Sequence, residues 1–283
     1  MCLIAFAWGA SEQYPFVIAA NRDEFLDRPT APLALWQSPG GANVLSGRDL
    51  RDGGTWMGFS PQGRFAMLTN VRNPNAQPPE QAISRGGLAL SWLESTLPAP
   101  AWRDTVQASR YQGFNLIVGD WQQKQCFYLS NQTLFTPFQP PAPTESTEHA
   151  PEFIAHEIRW GQVTGLSNAA LSTPWPKTQA LQTALAQALH AKDEASLRDQ
   201  ALQALASRAH APDDLLPRTG VALELERALS SAFVCHPADA PRYGTRTSLV
   251  AVFSASQGLR VTEVTHAQGE QATHTAQAEL GWR

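Results

Sequence analysis

The residues best placed to do chemistry stand at the beginning of the chain. Cys2 follows the first methionine directly, and nineteen residues later the sequence reads Asn21-Arg22-Asp23-Glu24. A methionine ahead of a small residue is a substrate for the cell's aminopeptidase, so the mature chain is expected to begin at Cys2. One residue then carries both a thiol and a free α-amine, whose pKa is ordinarily about 8. Nucleophile and general base lie within reach of each other, the arrangement of N-terminal nucleophile catalysis. An arginine nearby favours the thiolate, and an aspartate can hold the amine by hydrogen bonding.

These groups work together only if the fold brings them together. Cys2–Trp8 and Phe16–Ala20 are rich in β-branched and aromatic residues, and the turn-forming segment 9–15 separates them, so they read as a hairpin. The end of its second strand then lies beside the start of its first, and Cys2 meets the Asn21–Glu24 tetrad at one sheet edge. The alternative is a surface turn with solvated charges. Other polar residues stand at comparable strand ends: Asn70 and Arg72 where Thr69-Asn70-Val71-Arg72 closes the second hairpin, Asn168 ahead of a long helix, and Arg246 at the start of the last sheet. Asparagine amides can donate to a developing oxyanion, and arginine can complement a carboxylate or phosphate. Each also reads as a turn cap or a rim ion pair.

Further hairpins are expected at Thr55–Phe59 with Arg64–Asn70, and at Phe114–Gly119 with Cys126–Ser130. Helical spacing marks Ser84–Ser95, a helix capped by Ser172-Thr173-Pro174 and running to Ala191, then Ala195–Ala206 and Val221–Ser231. Strands follow at Ser248–Ser254, Leu259–His266 and Thr273–Leu280. Strands and helices are grouped rather than alternating, which predicts an α+β layered fold of antiparallel sheets with segregated helices. The Pro-rich stretch at 137–151 reads as a surface loop inside a single domain spanning 1–283.

Composition narrows the function. A net charge of −4 without a basic block argues against a nucleic-acid partner. Lys124, Lys177 and Lys192 are the only lysines, so positive charge is almost all arginine. Three widely spaced cysteines are no disulfide framework and fit a reducing cytosol. The first residues lack a basic segment and a long apolar run, and no stretch is apolar enough to span a bilayer. A cytoplasmic protein without a transmembrane segment is expected. Phosphate-loop and dinucleotide-binding glycine patterns are absent.

The tetrad behind Met1-Cys2 resembles the signature of the NRDE family, also called the transport and Golgi organisation protein 2 family. The resemblance continues through Gly53-Gly54-Thr55-Trp56, Leu68-Thr69-Asn70, Ser84-Arg85-Gly86, Gly113-Phe114-Asn115-Leu116, Gly165-Leu166-Ser167-Asn168, Pro174-Trp175-Pro176-Lys177 and Tyr243-Gly244-Thr245-Arg246. It implies a four-layer αββα sandwich of the N-terminal nucleophile hydrolase type, similar in outline to the penicillin V acylase and bile salt hydrolase group. By that analogy Cys2 is the nucleophile, Arg22 and Asp23 support thiol and amine, and Asn70, Asn168 or Asn21 stabilises the oxyanion. Arg246, Glu24 and Arg72 are then candidates for substrate binding. The expected reaction is hydrolysis of a small non-peptide amide or thioester, with no cofactor required.

The same family is linked to haem mobilisation and to lipid or acyl-CoA metabolism. A second expectation is therefore a carrier that holds haem or an acyl lipid in the same cleft without turnover. No Cys-x-x-Cys-His attachment site occurs, and His236, in Cys235-His236-Pro237, is the one weak candidate for a haem ligand.

Overall fold

The first hairpin dictates the layering, because both faces of its strands are apolar. In β1 (Cys2–Trp8), Ile4, Phe6 and Trp8 point into one buried cluster, whereas Leu3, Ala5 and Ala7 point into another. β2 (Phe16–Phe25) repeats the division, with Phe16 and Ile18 on one side and Val17 and Ala19 on the other. Successive strand residues face opposite sides, so this sheet must be covered on both faces. The computed structural model describes residues 2–77, 79–131, 154–235, 242–267 and 273–283.

The chain continues through β3 (Thr30–Gln37), β4 (Asn43–Asp49), β5 (Met57–Phe59), β6 (Arg64–Asn70), α1 (Gly86–Glu94), α2 (Ala99–Arg103), β7 (Phe114–Asp120) and β8 (Gln125–Ser130). It goes on through β9 (Ile154–Glu157), β10 (Gln162–Leu166), α3 (Pro176–Ala188), α4 (Glu194–Leu205), α5 (Leu223–Ala228), β11 (Tyr243–Ser254), β12 (Gly258–Thr265) and β13 (His274–Leu280). One sheet has the order β10-β1-β2-β11-β12-β13, the other runs β3 to β9 in sequence order, and the pairings are antiparallel.

Three apolar clusters separate four layers. Between the sheets lie Phe6, Trp8, Phe16, Phe59, Phe65, Met67 and Ile117 with their neighbours. Leu181 and Leu185 of α3 and Leu197 and Leu205 of α4 cover the outer face of the first sheet. Leu88, Trp92 and Leu93 of α1 and Trp102 of α2 cover the outer face of the second. The αββα sandwich implied by the resemblance is the arrangement the chain adopts.

Several boundaries differ from expectation. β2 does not stop at Ala20 but runs through Asn21–Glu24 to Phe25, because β11 pairs with it as far as Tyr243↔Phe25. α3 begins at Pro176 rather than near Pro174, since Ser172 takes a φ of 60° and Trp175 is extended. Proline at the first helical position fits there because its missing N–H has no intrahelical partner. Strands β3, β4, β9 and β10 are not anticipated, and the 137–151 loop lies outside the described residues. Among the described residues no helix is long and apolar enough to cross a membrane.

Candidate active site

Strand register carries the site. Cys2 lies directly opposite Arg22, and Arg22 in turn lies opposite Thr247 of β11. Cys2 and Arg22 project between the sheets, on the same side as Ile4 and Ala20. Asn21 and Asp23 project the other way, toward the helices. The tetrad therefore serves two compartments and not one.

The compartment between the sheets opens as a cleft of about 630 Å³. Cys2, Arg22, Glu24, Asn70 and Arg85 are among its lining residues, and Asp23, although its carboxylate bonds Thr245 Oγ1, also borders it at the strand end. Cys2 is 9% exposed. Burial raises its thiol pKa, Asp23 and Glu24 add to that, and Arg22 opposes it. Burial thus favours the neutral thiol over the thiolate.

Arg22 is held firmly beside the thiol. Its guanidinium lies over the Trp56 ring at 4.3 Å, donates to Thr30 Oγ1 at 3.2 Å and has Asp49 at 3.6 Å and Glu24 at 3.8 Å. Asp49 belongs to a tight turn in which Gly53, at φ 78°, donates back to the Asp49 carbonyl. Burial would raise the Asp49 carboxyl, but hydrogen bonds from Arg28, Asp52 and Arg51 outweigh it and the pKa is lowered. Glu24 faces Arg22 and accepts from the Phe25 N–H at 2.8 Å.

Asp23 is 1% exposed, and its Oδ1 accepts from Thr245 Oγ1 at 2.7 Å. Burial raises its pKa, and Lys177 is the largest opposing influence. Tyr243 donates its hydroxyl to the Asp23 carbonyl at 3.0 Å, which fixes the strand end.

The asparagines divide into distinct roles. Asn168 Nδ2 donates at 3.0 Å to both the Oδ1 and the carbonyl of Asn70. Asn70 Oδ1 is thereby taken up as an acceptor, and Asn70 is one of the residues that line the cleft. Asn168 is fully buried behind it and orients it. Ser167, next in the chain, donates to the Cys2 carbonyl at 3.1 Å and ties this segment to β1. Asn21, the third oxyanion candidate, uses its amide to bind Leu205 O at 2.9 Å and Ala232 O at 2.8 Å. It anchors the sheet to the helix layer and faces away from Cys2.

Two arginines expected at the substrate are also committed elsewhere. Arg246 sits in the β-bulge between Thr245 and Thr247, and its Nη1 donates to the carbonyls of Phe25, Leu26 and Arg28. It shapes the turn after β2. Arg72 forms a buried ion pair with Glu226 at 2.6 Å and lies outside the cleft wall. His236 falls outside the described residues.

Arg85 is the cation that sequence reasoning left unused. It lines both the cleft and an adjoining polar pocket of about 490 Å³, and Asn70 and Gln112 border both. Burial lowers its pKa, whereas Cys2 and Glu24 pull it back up. A close backbone approach puts it there: a Cβ on Gly54 would lie 2.4 Å from the Gly86 carbonyl carbon. The glycines at 54 and 86 were the available signal for that contact.

A family model described as Transport and Golgi organisation 2 matches residues 1–268. The chain belongs to the Transport and Golgi organisation 2 family. Relatives in it include the bovine Transport and Golgi organization protein 2 homolog, 31% identical over 280 residues, spanning 93% of this chain and 92% of that protein. The human homolog is 29% identical over 281 residues, with the same shares. Among solved structures, a mutant conjugated bile acid hydrolase from Clostridium perfringens aligns over 99% of this chain and 92% of its own, with a TM-score of 0.46 and 8% identity. A Caenorhabditis elegans N-acylethanolamine-hydrolyzing acid amidase ortholog aligns over 89% and 92%, with a TM-score of 0.39 and 9% identity.

Proposed function

We propose that this member of the Transport and Golgi organisation 2 family is a cysteine hydrolase of small non-peptide amides or thioesters, with Cys2 as nucleophile once Met1 is removed. The observation that carries the reading is the register of Cys2 against Arg22 at the mouth of a cleft that also contains Asn70.

The Cys2 α-amine takes the thiol proton while sulfur attacks the carbonyl carbon. Arg22 stabilises the charge on sulfur, and the Asn70 NH₂ donates to the oxyanion. Asn168 holds Asn70 in that orientation. The amine then returns the proton to the departing amine or thiol, and water cleaves the acyl-enzyme. Arg85, between the two pockets, suits a carboxylate or another anionic group on the substrate.

Intact mass of untagged protein, followed by an acyl-substrate panel run against Cys2→Ala, tests the reading. Loss of Met1 and turnover that disappears in Cys2→Ala support it; retained Met1 or equal turnover in the variant overturns it. Haem or acyl-lipid carriage is the competing proposal. The cleft wall is rich in charged side chains and contains no described histidine. Haemin titration with absorbance detection separates the two, since a Cys2-independent spectral shift without turnover favours carriage.

A further inference from the structure

The arginines that line the cleft are not equally provided for. Arg22, Arg28 and Arg51 each face a carboxylate of Glu24, Asp49 or Asp52, at 2.6–3.9 Å. Arg85 lines the same cleft and forms no ion pair among the described residues. Its one hydrogen bond to them runs from Nη1 to the Gly113 carbonyl at 3.0 Å. Nε and Nη2 are left over, and together they make one of the edges on which a guanidinium takes a carboxylate as a fork.

Arg85 also lines the adjoining pocket of about 490 Å³, a size usual for small-molecule sites. Among the described residues no carboxylate lines that pocket, and Arg85 is its single charged side chain. The other polar walls are neutral. Asn131 belongs to the frame: its Nδ2 donates to the carbonyls of Ala108 and Tyr111 at 3.1 Å, and its Oδ1 accepts from the Phe114 N–H at 2.9 Å. Gln77, Ser109, Tyr111 and Gln112 make no side-chain hydrogen bond among the described residues. One open cation beside idle neutral donors and acceptors matches a single negative charge on a polar group. A phosphate dianion would leave one charge unmatched, with Glu24, Asp49 and Asp52 elsewhere in the cleft repelling it.

The pocket is continuous with the site of the proposed chemistry, because Asn70 and Gln112 border it and the Cys2 cleft alike. Resting on the Cys2 reading, we propose that this pocket takes the carboxylate-bearing half of the substrate, and that the substrates are N-acylated polar amino acids. The carboxylate lies on the Nε–Nη2 edge of Arg85. The amino acid's polar side chain meets Gln77 and Gln112, and the scissile amide passes Asn70 toward Cys2. The other three arginines of the cleft do not compete for the carboxylate, since each already has one. Arg85 is a binding residue that selects among amides and takes no part in breaking them.

The test uses the full Cys2→Ala chain, which leaves its ligands intact, and ligand-observed NMR titration with N-acetylglutamine and its neutral carboxamide. The carboxylate binds about tenfold tighter than the carboxamide, and Arg85→Gln removes the difference. Asn73, another lining residue, accepts from the Asn75 N–H through Oδ1 at 3.1 Å. Asn73→Asp keeps that acceptor and brings a negative charge to the pocket, so N-acetylglutamine binds about threefold more weakly and the carboxamide is unaffected. Equal affinities in the parent, a preference that survives Arg85→Gln, or tighter binding of inorganic phosphate overturns the proposal. Should Arg85→Gln fail to fold, Asn73→Asp decides alone. Binding needs no turnover, so carboxylate preference in a chain without hydrolase activity refutes the hydrolase and leaves the pocket standing. Turnover of amides indifferent to a carboxylate refutes the pocket alone.

Discussion

The layer between the two sheets has two ends built from opposite materials. At one end Trp8, Phe16, Phe65, Trp121, Phe253 and Trp282 pack in edge-to-face, tilted and stacked pairs, with centroid separations of 4.2–6.4 Å. At the other end the same strands present Cys2, Arg22 and Asn70 to an open cleft. Strand β1 runs from one to the other within seven residues. The aromatic end holds the sheets together, which permits the polar end to leave them apart. Stability and chemistry are therefore expected to separate along the strand axis.

Phe16→Ala attacks the closed end and carries the largest expected effect, about 3–5 kcal/mol of lost stability by denaturant titration. A loss below 1 kcal/mol would remove the distinction between the ends. Asn70→Asp attacks the open end: it keeps the Oδ1 acceptor for Asn168 and removes the NH₂ donor. Under the proposed reaction kcat falls about 10²–10³-fold, while the melting temperature stays near that of the parent.

Glu263 lies between the ends and sharpens the contrast. It is fully buried, its Oε1 accepts from the Leu33 N–H at 2.7 Å, and its Oε2 has no partner among the described residues. Burial raises its pKa from 4.5 to about 7, with the Leu33 hydrogen bond and Arg22 opposing. The folded state keeps a proton that the unfolded chain releases. This contribution is fully present below pH 4.5 and is lost as pH rises through about 7. The loss amounts to about 3 kcal/mol. Glu263→Gln, which mimics the protonated form, flattens that part of the stability-versus-pH curve; an unchanged curve contradicts the assignment. Smallest of all, Arg51→Ala at the cleft rim, where the side chain is 70% exposed, changes stability by less than about 0.5 kcal/mol.

Strong local signals made the hairpins of the closed end legible. Cys2–Trp8 and Phe114–Gly119 are short apolar runs between turn residues, and the chain uses them as strands. β3 and β4 were illegible for a physical reason. β3 contains Pro32, forms a sheet edge and exposes much of its length, so neither a continuous apolar run nor clean alternation marks it. The meeting of Cys2 with the tetrad followed from hairpin geometry alone. The separation of Asn21 and Asp23 from Arg22 required knowing that β11 extends the strand through the tetrad. Arg246 and Arg72 read as substrate ligands because a sequence does not reveal that backbone carbonyls or Glu226 already occupy them. The burial of Lys177 gave no warning, since it depends on what the helix start packs against.

β11 is twelve residues long and is paired on both sides, with β2 and with β12. Exchange of its amides with solvent deuterium therefore requires opening two ladders at once. Val250–Phe253 should be among the last positions to exchange, long after edge strand β3. The floor beneath Cys2 is bonded to that slow unit through β2, so the thiol is presented from the part of the molecule that breathes least.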